Sequence, residues 1–191
     1  MLEWILQIDK EILLAINEWG HPHLDGFMWW MSERFIWIPM YLLLIGYLYK
    51  KYGKTFYQPL IAVIITVIIT DQVTASLLKP LIGRLRPCHD PALQHMINLV
   101  GDCGGQYSFA SSHAANTFGL ASSFFFLIRS PVSVFLLVWA TVVSLSRVYL
   151  GVHFPTDILV GSGIGLLAGF LVVKGFHRFI NRRSVDPDPT S

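Results

Sequence analysis

Five apolar runs occupy nearly half of the chain and hold almost no charge. They extend from Phe35 to Tyr49, Pro59 to Leu78, Ala114 to Ile128, Val132 to about Tyr149, and Thr156 to Val173. A hydrocarbon core ~30 Å thick needs ~17–25 helical residues to cross it. Flanking Trp, Tyr and Gly residues extend the shorter runs toward that length, and Trp29, Trp30 and Trp37 sit where an interfacial belt forms. Only 14% of the 191 residues are charged, where a soluble domain carries about 25%. The expected fold class is all-α: a polytopic membrane helix bundle of about five transmembrane helices, in one domain over residues 1–191. Disorder, coiled coil and a disulfide-dense scaffold are excluded. The net charge of +2, with no cluster of basic residues, leaves no nucleic-acid face.

Residues 2–19 read differently. Leu2, Ile5, Ile8, Ile12, Ile16 and Trp19 recur at helical spacing, with Glu3, Gln7, Lys10, Glu11 and Glu18 opposite. That pattern predicts an amphipathic helix lying on the membrane surface. It is not a signal peptide, since Glu3 stands where a basic n-region would be. The stretch from Leu24 to Met31 is too short for a span, and the polar tail from Ser184 to Ser191 reads as disordered.

Basic residues set the orientation. If the first run ends at the cytoplasmic side, alternate crossings put Lys50, Lys51, Lys54, Arg129, Lys174, Arg178, Arg182 and Arg183 there, eight of the 14. Residues 79–87, 108–116 and 146–157 then emerge together on the opposite face. The expectation is an inner-membrane, multi-pass chain whose polar mouth faces the periplasm or cell exterior.

Those three stretches carry the chemistry. The first holds Lys79, Arg84, Arg86 and Pro87; the second Ser111, Ser112 and His113; the third Ser146, Arg147, His153 and Asp157. Lys79, Arg86 and Arg147 can neutralise the oxygens of a phosphoryl group. Ser111 and Ser112 open an apolar helix whose free N–H groups favour an anion. Pro155 starts a helix, and Asp157 in its first turn can reach a ring nitrogen of His153, fixing the tautomer and freeing the other nitrogen to attack.

The three stretches resemble the signature of the type 2 phosphatidic acid phosphatase family, which shares its core with vanadium haloperoxidases: K-x6-R-P, P-S-G-H and S-R-x5-H-x3-D. The first and third match in full at Lys79, Arg86, Pro87, Ser146, Arg147, His153 and Asp157. The second matches at Ser111 and His113, with Ala110 for Pro and Ser112 for Gly. The resemblance, over about Pro59 to Val173, implies a lipid phosphatase in which His153 is the nucleophile and forms a phosphohistidine. It implies that Asp157 orients His153, and that His113 protonates the leaving oxygen. Lys79, Arg86, Ser111, Ser112 and Arg147 would bind the phosphoryl oxygens. No cofactor and no metal is expected, because fixed cations take the ion's place. The implied substrates are undecaprenyl pyrophosphate, phosphatidylglycerol phosphate, phosphatidate or lipid A 1-phosphate. A vanadate-dependent oxidant enzyme and a non-catalytic lipid-binding or transport protein are the alternatives.

The remaining polar residues read as structural. His21, His23, His89, His95 and His177 lack partners in the motifs, and Arg84 reads as a solvent-facing charge. Asp71 reads as a hydrogen-bond partner for a neighbouring helix, and Gly161, Gly163, Gly165 and Gly169 as a close-packing stripe. Cys88 and Cys103 fall on the outer face between the first two motifs. In an oxidising compartment they predict a disulfide closing a loop of about 15 residues, with two free thiols as the alternative.

Overall fold

A computed structural model describes residues 2–185, and side chains over 3–180. The helices are α1 (Leu2–Asn17), α2 (Pro22–Ser32), α3 (Ile38–Tyr52), α4 (Tyr57–Asp71), α5 (Lys79–Ile82), α6 (Ser112–Ile128), α7 (Pro131–Tyr149) and α8 (Pro155–Val185). The described residues contain no strand, only a single antiparallel bridge between Leu85 and Tyr107. The expected tail lies, from residue 186 on, outside the described residues; Ser184 and Val185 still belong to α8.

Helix starts follow the sequence. Ser111 caps α6 by accepting from the Ala114 N–H, and at the start of α7 Ser133 Oγ accepts from the Ser130 N–H at 3.4 Å. A π-helical turn over Gln72–Leu78 joins α4 to α5, so Tyr57–Ile82 is one continuous rod. The rod stops at Gly83, whose φ of +64° closes a left-handed cap on the Lys79 carbonyl. That turn swings Arg84 and Arg86 back across the end of the bundle.

Helix α6 sits at the centre, packed on α8, α7 and α4. Its face toward α8 is built from small residues, and a Cβ added to Gly165 would strike the Ala115 carbonyl and the Gly119 nitrogen. Close backbone approach of this kind lets Ser122 Oγ donate to the Leu166 carbonyl at 2.9 Å. Gly161 and Gly169 pack as expected. Gly163 does not: it faces open space, about 200° around the helix from Gly161 and Gly165 and so on the side away from α6.

Among the described residues three helices are long and apolar enough to cross a membrane: Tyr57–Ile82, Pro131–Tyr149 and Pro155–Ile180. The other two expected runs form shorter helices, α3 with 15 residues and α6 with 17. The chain preceding α3 winds as a 3-10 turn over Arg34–Trp37, which takes Phe35 and Trp37 out of the helix. Outward faces expose large apolar side chains such as Leu43, Ile68 and Leu159, the surface a lipid-facing bundle presents. The core lies between α3, α4, α6 and α7, around Leu48, Phe124, Leu136 and Trp139.

Helix α1 forms as expected, and a side of it that the hydropathy pattern does not mark is buried against the bundle. Its buried stripe is Asp9, Leu13 and Asn17, at i, i+4 and i+8, whereas Ile5, Ile12 and Trp19 are exposed. Two of the three buried positions are polar and are tied to distant chain. Asn17 Nδ2 donates to the Tyr149 carbonyl at 2.7 Å and to the Asn98 carbonyl at 2.9 Å. The helix is therefore docked on the mouth of the bundle as well as presenting an apolar outer face.

Candidate active site

The first motif is shaped by the turn at Gly83 and by the loop that follows. Arg86 is 8% exposed; its Nη1 donates to the Cys103 carbonyl and its Nε to the Tyr107 carbonyl at 3.3 Å. Cys88 and Cys103 are joined in a disulfide, which holds the Cys103 carbonyl against that guanidinium. Backbone bonds from Arg86 N to Gln106 O (3.1 Å) and from Ser108 N to Arg84 O (2.8 Å) zip the two sides of the loop together.

The second and third motifs are locked to each other at the starts of α6 and α8. The Ser111 N–H donates to the Asp157 carbonyl at 3.0 Å. Ser112 Oγ accepts from Thr74 Oγ1 at 2.9 Å, linking α6 to the π-helical turn. His153 lies in the short link between α7 and α8 and is 1% exposed. Its Nδ1 sits 3.4 Å from Asp157 Oδ2, which also accepts from the Phe154 N–H at 2.9 Å. The expected reach from Asp157 back to His153 is thus present.

Two cavities reach the motif residues Lys79, Arg86, Ser112, His113 and Arg147, while Ser111, His153 and Asp157 lie behind their walls. One, of about 640 Å³, is lined at one end by Lys79, Arg86, Ser112 and His113, and runs on between apolar residues of α3, α4 and α6 such as Leu48, Val63 and Leu120. The other, of about 370 Å³, is polar, with Arg147, Glu33, Arg34 and Asp102 on its walls. His113, Ser32 and Arg34 line both. Arg147 donates from Nη1 to Ser32 Oγ, while its buried Nε has no partner among the described residues. A buried guanidinium N–H without an acceptor is costly, and an anion in the cavity would satisfy it.

Burial, followed by the charge of Arg147 and the other nearby cations, holds both the His153 and the His113 imidazoles well below the ordinary histidine range. Both rings are neutral at pH 7, which leaves His153 able to act as a nucleophile and means that His113 must gain a proton before it can act as an acid. Burial also lowers Arg86, with Asp157 and Asp102 acting in the opposite direction. Among the described residues no three His, Cys, Asp or Glu side chains gather as a metal ion would require.

The sequence profile of the PAP2 superfamily matches residues 59–181, which spans all three motifs. The chain belongs to the PAP2 superfamily. Two similar proteins are named lipid A 4'-phosphatase. The one from Bacteroides thetaiotaomicron is 36% identical over 190 residues, covering 97% of this chain and 84% of that protein. The one from Porphyromonas gingivalis is 36% identical over 177 residues, covering 91% of this chain and 75% of that protein. The crystal structure of a PAP2-type phosphatidylglycerolphosphate phosphatase from Bacillus subtilis superposes with a TM-score of 0.68 at 26% identity, covering 92% of this chain and 87% of that one. The chain is a membrane phosphatase of this family.

Within the PAP2 frame, Asp71 accepts from Asn116 Nδ2 at 3.1 Å, the interhelical partnership expected of it. Arg84 departs from expectation. It is no solvent-facing charge: it bridges Asp9 at 2.6 Å and Asp157 at 3.1 Å. Asp9 and Thr156 join the site's surroundings without any sequence signal beyond Asp9 interrupting an amphipathic pattern.

Proposed function

We propose that this PAP2 protein hydrolyses a phosphate monoester on a lipid, at the extracytoplasmic face of the inner membrane, through a phosphohistidine. The observation that carries the reading is the cluster of a neutral, buried His153 with Asp157 at its Nδ1 and a partnerless Arg147 Nε beside it. His153 Nε2 attacks phosphorus; the P–N bond forms as the bond to the lipid oxygen breaks, and His113 gives its proton to that oxygen. Water then attacks phosphorus and passes a proton to His113, the P–N bond breaks, and phosphate leaves with His153 neutral again. Lys79, Arg86 and Arg147, with Ser111 and Ser112, hold the equatorial oxygens in both steps. A phosphate dianion among those groups also favours the protonated form of His113.

The apolar extension of the larger cavity supports a lipid as the leaving group, since it offers Leu48, Val63 and Leu120 to a hydrocarbon chain. The two relatives named above favour the 4'-phosphate of lipid A among lipid substrates. Orientation is supported by the far end of the bundle. There Lys51 Nζ donates to the Ile128 carbonyl at 3.4 Å, placing the basic end of α3 beside the C-terminus of α6, away from the motifs.

Phosphate release from lipid A, phosphatidylglycerol phosphate, phosphatidate and undecaprenyl pyrophosphate, measured in detergent with EDTA, tests the reading. Release from lipid A that survives EDTA and vanishes in His153→Ala is expected. An absolute Mg²⁺ requirement, or release unaffected by His153→Ala, would overturn it. Halide oxidation supported by vanadate, or lipid binding without phosphate release, would favour the two other classes.

A further inference from the structure

We propose that Asp9, on the N-terminal helix, is a positioning residue for the phosphatase site, acting through Arg84 on Asp157. The inference rests on the reading of Asp157 as the carboxylate that orients His153.

Asp9 is 2% exposed, and a carboxylate that deep is stable only when its oxygens are used. Both are. Oδ1 accepts from the Thr156 N–H at 2.8 Å; Oδ2 accepts from Arg84 Nη2 at 2.6 Å and from the Thr156 hydroxyl. The other branch of the Arg84 fork, Nη1, donates to Thr156 Oγ1 at 2.8 Å and to Asp157 Oδ1 at 3.1 Å. The guanidinium carbon lies 3.7 Å from the centroid of the Phe154 ring. One planar cation therefore carries a carboxylate on each arm, and both carboxylates are pinned to the first turn of α8.

The division of labour at Asp157 explains why this matters. Arg84 holds Oδ1, while Oδ2 takes the Phe154 N–H and faces His153 Nδ1. Without Asp9, Arg84 loses one of its two anions and settles on Asp157 alone, and the Thr156 N–H loses its acceptor. Both changes draw Asp157 away from His153 or weaken its bond to the imidazole. Asp9 and Arg84 line neither cavity, so their effect passes through the Arg84–Asp157 bond and the Asp157–His153 contact to the orientation of the nucleophile. A merely anchoring role for Asp9 would leave turnover per folded molecule unchanged.

Turnover of lipid A in mixed micelles separates these roles. Asp9→Asn and Arg84→Lys should each lower kcat about 10- to 100-fold, with KM unchanged within about twofold. Asp9→Glu, which restores the charge, should recover part of the loss. In an Asp157→Asn background, adding Asp9→Asn should cost less than about twofold more, because the route it acts through is already cut. Should Asp9→Asn fail to fold in detergent, Arg84→Lys carries the test, since it keeps the cation and loses only the fork. Wild-type kcat in the folded Asp9→Asn or Arg84→Lys enzyme, or losses that multiply in the Asp157→Asn background, would overturn the proposal. An Asp157→Asn enzyme with normal turnover would instead remove the role of Asp157 on which it rests.

Discussion

Arg86 Nη1 donates to the carbonyl oxygen of Cys103, a residue 17 positions away that a disulfide ties to Cys88. The bridge closes the connection between the first and second motifs, and Arg86 is the residue held in place by that closure. Fixing a guanidinium before substrate arrives removes part of the entropy cost of binding.

Breaking the bridge should therefore affect both stability and binding. The closed loop of 15 residues corresponds to about 3 kcal/mol in the chain-entropy account. The Cys88→Ser/Cys103→Ser enzyme should unfold at lower denaturant or temperature. It should also show a raised KM with a smaller change in kcat. Mass spectrometry of alkylated, non-reduced enzyme checks the starting point: two freely alkylated thiols in active protein would contradict the bridge.

The two histidines should separate by leaving group. His153→Ala should abolish turnover, and Asp157→Asn should reduce it by about 10²–10⁴ through loss of tautomer and orientation. In the step that forms the phosphohistidine, His113→Ala should be nearly harmless with p-nitrophenyl phosphate, whose leaving group needs no proton, and severe with a lipid alcohol, while the water step slows equally for both. Equal losses on both substrates in that first step, read as the rate of ³²P incorporation, would remove His113 as the acid. Trapping ³²P on the protein at acid-labile, base-stable nitrogen would identify the intermediate.

Stability should fall on the acid side through His153. In the unfolded chain an imidazole titrates near 6.5, whereas burial and the three nearby cations hold His153 well below that in the fold. The folded state thus favours the neutral ring. Its contribution is fully present above pH ~6.5 and is lost as pH falls from there toward the folded value. Melting temperature measured from pH 8 to 5 should decline more steeply in the wild type than in His153→Gln, which cannot be protonated. Parallel slopes would contradict the assignment.

The α6–α8 seam gives a contrast between two glycines on one helix. At Gly165 a methyl group meets the Ala115 carbonyl and the Gly119 nitrogen, backbone atoms that cannot rotate away. Gly165→Ala should cost about 1–3 kcal/mol. Gly163 has nothing within 4 Å of the same position, so Gly163→Ala should be neutral or stabilising by up to about 1 kcal/mol through helix propensity. Thermal unfolding of the two variants in one detergent makes the comparison, and equal effects would refute the seam.

The sequence disclosed what is local or periodic. Arg147, His153 and Asp157 lie within a few residues of one another, so their spacing alone conveys the link from Asp157 to the imidazole. Apolar runs marked every major helix of the bundle. What escaped was set by contacts between distant parts of the chain. Asp9 meets Thr156 across 147 residues and Arg84 across 75, and Asn17 meets Asn98 across 81. The buried stripe of α1 has two polar residues among three, so a hydropathy pattern gives no sign that this side docks on the bundle. The start of α3 was likewise set by the 3-10 turn over Arg34–Trp37, and that of α6 by the Ser111 cap, which apolar counts do not register.

Every motif side chain sits at a single end of the bundle, around the starts of α6 and α8, while the opposite end carries Lys51 against the close of α6. Such an enzyme has a handedness with respect to the bilayer. Reconstituted at random into sealed vesicles, copies facing the lumen meet none of a water-soluble phosphate ester supplied outside. Part of the activity then stays latent until the vesicles are opened, and the latent share counts the molecules inserted the other way round.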